Sequence, residues 1–171
     1  PPLWFMEGMA EYLSVGSVDV HTQMWLRDAA LQGYLIPISQ LNETYDIRVY
    51  RFGQSIFGFI GEKFGDEKIG EILKATARLG GGVGSAVKSV LGMPMDELSD
   101  AWLEETRKRY LPKIVDYEKA SQFAKRLTHQ GEDMSGTNLA PCISPDGEDF
   151  GLAQVRAREQ VIPAGQHRQH D

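Results

Sequence analysis

Apolar residues return at helical spacing over most of the first 110 positions, and glycine or proline interrupts each run. Leu3, Met6, Met9, Ala10 and Leu13 form the first such set, behind Pro2, whose missing N–H suits a helix start. Trp4, Phe5 and Tyr12 add aromatic surface that calls for a core. Val15 and Gly16 end the run, and Ser17 or Asp19 can cap a second helix reaching about Gly33. Tyr34-Leu35-Ile36-Pro37-Ile38 reads as an extended connection, because Pro37 cannot continue a helix and restricts Ile36.

The segment from about Asp46 to Phe64 is the most apolar. Two adjacent stripes, Tyr50, Gly53, Phe57, Ile60, Phe64 and Val49, Phe52, Ile56, Phe59, predict a helix through the middle of the core. Gly53, Gly58 and Gly61 lower its helix propensity, which predicts close approach of another helix. Asp66 can cap a fourth helix carrying Ile69, Ile72, Leu73, Thr76 and Leu79 on one face. A flexible Gly80–Ser85 linker and a short helix from Ser85 to Leu91 follow. The linker fails as a phosphate cradle, since Val87 stands where a P-loop needs Gly before Lys88. A last helix runs from Asp96 to about Tyr110, with Leu98, Trp102 and Leu103 inward and Glu104, Glu105, Arg107, Lys108 and Arg109 outward.

From Pro112 onward the pattern weakens. Residues 113–127 read as a linker, with a short helix around Tyr117 to Arg126, and residues 128–171 as an irregular tail that can hold at best one β-hairpin. Ser144-Pro145-Asp146-Gly147 is its turn, because Pro presets φ, Asp bonds locally and Gly relieves the last position. Val155 to Asp171 has no apolar period and is expected to lack regular structure. The fold class is therefore mainly α, with residues 1–112 as its helical body.

Composition narrows function by exclusion. With 42% hydrophobic and 25% charged residues, 171 residues suffice for one ordinary core. Lys and Arg number 18 against 24 Asp and Glu, a net charge of -6, which speaks against a nucleic-acid partner. No apolar run reaches membrane-spanning length. Cys142 has no second cysteine to pair with and reads as a bystander.

The candidate chemistry lies at the start. Glu7 and Glu11 project from one helix face, one turn apart, and call for a compensating cation, with Arg27 or Arg48 as candidates. Trp4, Glu7, Gly8, Ala10 and Tyr12 together make Trp-x-x-Glu-Gly-x-Ala-x-Tyr. This segment resembles the third-ligand helix of gluzincin zinc metallopeptidases, in their peptidase MA-like branch. The resemblance extends through residue 112, with a specific motif in the first helix alone. It implies zinc as cofactor, Glu7 as a zinc ligand, and Glu11 as a carboxylate that orients a histidine ligand. Tyr50-Arg51-Phe52-Gly53 resembles the Tyr-x-x-Gly segment of the related aminopeptidases, a resemblance that implies the Tyr50 hydroxyl as an oxyanion donor in catalysis. Tyr45 is a weaker candidate for that role.

The remaining ligands and the general base of the family lie on a His-Glu-x-x-His helix, and His21, His129, His167 and His170 do not frame one. His21 reads as a surface histidine, and the tail pair His167 and His170 is separated by Arg168 and Gln169, which are poor ligands. The chain is accordingly expected to be the C-terminal fragment of a zinc-dependent peptidase. It would be inactive alone, and its parent would act on peptide or protein substrates. Asn138 to Gly147 resembles a TolB-like β-propeller repeat, although a propeller needs at least four blades of about 40 residues. The resemblance implies an exported bacterial protein, periplasmic or secreted. The alternative is a non-catalytic helical interaction or scaffold module whose carboxylates are merely paired to arginines.

Overall fold

In the computed structural model, which describes residues 1–79, 82–114, 122–125 and 136–156, the chain forms two units, Pro1–Tyr117 and Glu118–Asp171. The first is helical. Its elements are α1 (Leu3–Val15), α2 (Val20–Gln32), α3 (Ile38–Leu41), α4 (Arg48–Phe64), α5 (Glu67–Leu79), α6 (Gly82–Leu91) and α7 (Met95–Ile114). Helix α4 packs against α1, α2 and α5, while α7 packs against α2, α3 and α6.

The two apolar stripes explain why α4 is central. Val49, Phe52, Ile56 and Phe57 are fully enclosed, and Gln54 is buried among them. Phe57 meets Phe5 at 5.4 Å between ring centres and Trp4 at 6.2 Å; Phe52 meets Trp102 at 6.0 Å. Gly65, at φ 100°, stops the helix in a conformation other residues rarely adopt.

The glycines of α4 have different roles. A Cβ on Gly53 would lie 2.5 Å from the Trp4 carbonyl oxygen and 2.8 Å from the Gly8 Cα, and one on Gly8 would overlap the Gly53 backbone. Main chain therefore meets main chain where α1 crosses α4. At Gly58 an added Cβ would meet Ser17 at an ordinary 3.6 Å.

Several expectations are corrected. The buried face of α1 is Trp4, Phe5, Gly8 and Met9, whereas Met6 and Leu13 are 49% and 71% exposed. The crossing at Gly8 turns the aromatic side inward, which the aliphatic spacing did not reveal. The connection after Tyr34 contains α3. Pro37 precedes it in extended conformation, Ser99 Oγ accepts the Ile38 N–H at 3.0 Å, and Ile38 and Leu41 are enclosed. Helix α6 begins at Gly82, ahead of Ser85. Helix α7 passes through Pro112 into residues read as linker, with the proline only two residues from its end, where few backbone bonds are lost. Leu73, assigned to the inner face of α5, is 46% exposed.

The second unit holds an antiparallel hairpin of β1 (Gly136–Ile143) and β2 (Phe150–Arg156), with Gly136 opposite Arg156, Ile143 opposite Phe150, and an irregularity between Leu139 and Cys142. The Ser-Pro-Asp-Gly turn forms as its residues dictate. Gly147 N–H donates to the Ser144 carbonyl at 2.9 Å with φ 79°, and Asp146 accepts from the Ser144 hydroxyl at 2.5 Å and the Glu148 N–H at 3.2 Å. Strand β2 takes Val155 and Arg156 out of the segment expected to lack regular structure. Most of the short helix expected around Tyr117 to Arg126, the Gly80-Gly81 pair, His129 and the tail from residue 157 lie outside the described residues. Among the described residues, no helix is long and apolar enough to cross a membrane.

Candidate functional site

Glu7 and Glu11 have opposite surroundings although one helical turn separates them. Glu7 is half-buried and makes no hydrogen bond or ion pair among the described residues. It directly precedes Gly8, so the close crossing carries its backbone against α4. Gly8 thus has a physical reason within the Glu-Gly pair: any side chain there would force the two helices apart.

Glu11 is held. Arg51 Nη1 donates to Glu11 Oε2 at 3.1 Å and to Asp19 Oδ2 at 3.5 Å, with 19% of the arginine side chain exposed. Asp19 also caps α2, accepting the Thr22 N–H at 2.7 Å. That backbone hydrogen bond, aided by Arg51, holds the Asp19 carboxyl below the usual carboxylate range. The clamp joins α1, the start of α2 and α4.

The cation for these carboxylates is Arg51, which corrects the expectation of Arg27 or Arg48. Arg48 pairs with Asp46 at 2.7 Å. A guanidinium between Tyr50 and Phe52 in the most apolar helix was the available signal, since a charge there needs a partner. Gln54 was equally missed. Its Nε2 donates to the Gly16 carbonyl at 2.8 Å, while its Oε1 accepts from the buried Thr22 hydroxyl, wiring the α1–α2 turn to α4.

Tyr50 stands one turn before Gly53 on α4. It is half-buried, packed at the edge of the core, and its hydroxyl has no partner among the described residues. Tyr45 is 82% exposed. Tyr12, the last letter of the first-helix motif, donates to Asp66 Oδ1 at 2.6 Å, so Asp66, expected to cap the next helix, ties the start of that helix to α1. Burial first, then this bond, pushes the Tyr12 phenol up to about 12.

His21 does not approach Glu7: its Nδ1 lies 3.8 Å from Asp19 Oδ1, and its side chain is 69% exposed. No group of three His, Cys, Asp or Glu side chains that could hold a metal ion exists among the described residues. Glu7 is thus a single candidate ligand, and these residues do not by themselves make a zinc centre. No protein-family model, curated protein or solved structure matches the chain.

Proposed function

We propose that this chain is the C-terminal helical part of a gluzincin-like zinc metallopeptidase domain, with Glu7 as the carboxylate ligand to a metal otherwise held by a His-Glu-x-x-His helix. The observation that carries this reading is the contrast on α1: Glu11 is neutralised by Arg51, whereas Glu7 is half-buried with no cation or donor among the described residues. A carboxylate that no protein group answers is open to an external cation. The Gly8·Gly53 crossing adds support, because it brings the Glu7 and Tyr50 segments together. In this reading Tyr50 offers its hydroxyl to the oxyanion of a peptide carbonyl. Glu11, held by Arg51, fixes the turn of α1 that presents Glu7, in addition to the histidine-orienting role the resemblance implies.

The test is metal retention. This chain alone should bind no stoichiometric zinc. A longer protein carrying the His-Glu-x-x-His helix should hold one zinc per molecule, lose it on Glu7→Gln, and keep it with reduced turnover on Tyr50→Phe. Full zinc occupancy in the Glu7→Gln protein would remove Glu7 as a ligand and the reading with it.

The Arg51 clamp favours a second reading, a helical scaffold without catalysis, since it satisfies one carboxylate with no metal. In that case, no His-Glu-x-x-His segment would accompany these helices, and Glu7→Gln and Tyr50→Phe would change neither zinc content nor hydrolysis.

A further inference from the structure

Helix α1 is apolar on two sides. Trp4, Phe5, Gly8 and Met9 are buried, and on the opposite side Leu3, Met6, Ala10 and Leu13, three or four residues apart, line up as a second stripe. Leu3 is half-buried at the edge of the core, Ala10 is exposed, and Met6 and Leu13 are 49% and 71% exposed. A surface helix ordinarily turns charged and polar residues outward, and a helix apolar on all sides is ordinarily enclosed. The outer stripe thus has the composition of an interface and the exposure of a surface.

Glu7 lies on the same side, one turn after Leu3 and one turn before Ala10. The only other charge on α1 is Glu11, which Arg51 answers at 3.1 Å, so Glu7 is the charge on this helix with no ion pair among the described residues. That charge selects the occupant. A second copy placing its own stripe on this one brings carboxylate toward carboxylate between chains of net charge -6, and an anionic lipid surface meets the same repulsion. A small molecule finds a convex helix face, while the cavities of about 690 and 310 Å³ in the helical unit are lined by other residues. A second helix with apolar residues at the same spacing matches the stripe ridge to groove, and a basic side chain midway along it complements Glu7.

We propose that the outer face of α1, Leu3, Met6, Ala10 and Leu13 with Glu7 beside them, docks an amphipathic helix of a partner protein that carries a lysine or arginine opposite Glu7. The apolar residues supply the contact, and Glu7 sets register and orientation. This goes beyond the zinc reading, which concerns a longer protein with a metal at Glu7, and belongs to the chain of 171 residues.

The probes are three synthetic helices of about 20 residues with leucines at three- and four-residue spacing, identical except for Lys, Gln or Glu at the middle of the apolar face. Titrated with the full chain and followed by fluorescence anisotropy, the Lys peptide should bind saturably and shift the amide resonances of α1. The Gln peptide should bind about threefold and the Glu peptide about tenfold more weakly. Glu7→Lys should reverse that order. Leu13→Ser should keep the melting midpoint, because the side chain meets solvent, and weaken the Lys peptide about tenfold. Met6→Gln replaces it if that variant does not fold. Equal affinity for the three peptides, absence of saturation, or unchanged binding by the folded stripe variants would each overturn the proposal, and self-association of the chain that Leu13→Ser abolishes would assign the face to a second copy instead. Zinc takes no part in the titration, so either outcome leaves the metal assignment where it stands.

Discussion

Helix α4 has two faces that use glycine in opposite ways. Toward α1 the contact is backbone on backbone, with Gly53 against Gly8 and no room for a methyl group. On the side of the α1–α2 turn, α4 and α7, Gly58 lies near Ser17 at ordinary contact distance, while a Cβ on Gly61 would overlap Asp66 Oδ1 and lie 2.6 Å from the Tyr12 hydroxyl, so side chains fill that gap. The lesson is that missing side chains buy close approach only where a partner's main chain fills the gap. At Gly61 neighbouring side chains take the gap, and at Gly58 nothing crowds it. Rigidity and the candidate zinc ligand go with the sealed face.

The sharpest way to break this contrast is to place the same methyl group on each face. Gly53→Ala should destabilise the helical unit by about 3 kcal/mol or more, because neither the Trp4 carbonyl nor the Gly8 backbone can move without parting α1 from α4. Chemical denaturation should show a lower midpoint, and an unchanged midpoint would mean that the crossing is looser than its geometry.

Next in size is the clamp beside the crossing. Arg51→Met should cost about 2 kcal/mol at neutral pH, since it leaves Glu11 and Asp19, 26% and 15% exposed, without their cation. The folded Asp19 carboxyl lies below its ordinary value, so its contribution is present above about pH 4 and is lost as pH falls through the folded value. The gap between wild type and variant should therefore narrow in acid. A pH-independent gap would assign the effect to lost packing of the arginine stem.

Tyr12→Phe should cost about 1 kcal/mol by removing the bond to Asp66. The folded phenol loses its proton at about 12, whereas an unfolded tyrosine does so near 10. The contribution is therefore intact below pH 10 and fades as pH rises toward 12. Thermal melts of both proteins across that window should converge.

The smallest effect has the opposite sign. Gly58→Ala should stabilise by no more than about 1 kcal/mol, because alanine favours the helix and its Cβ meets only Ser17. A loss comparable to that of Gly53→Ala would erase the distinction between the two faces.

Much of the helical unit was legible because its apolar periods were strong. The stripes of α4 and the inward set Leu98, Trp102 and Leu103 of α7 required only local spacing, as did the hairpin turn at Ser144 to Gly147. Helix α3 was not legible. Four residues carry too little period, and its stability comes from Ser99, sixty-one positions away, and from enclosing Ile38 and Leu41. At the candidate site, the Glu7-Gly8 pair could be read from the motif, but the cation for Glu11 could not be chosen among neighbouring arginines without knowing how α1 crosses α4.

The amino-acid sequence by itself determined where the longer helices form, which of them is central, and where chain reversal occurs, because propensity, periodicity and turn chemistry act over a few neighbouring residues. Only the tertiary structure decided which face of α1 is buried, that Arg51 neutralises Glu11 and Asp19, and that Glu7 has no hydrogen bond or ion pair among the described residues. Those outcomes depend on residues tens of positions apart meeting across a crossing whose closeness is set by two hydrogen atoms, at Gly8 and Gly53, in place of side chains.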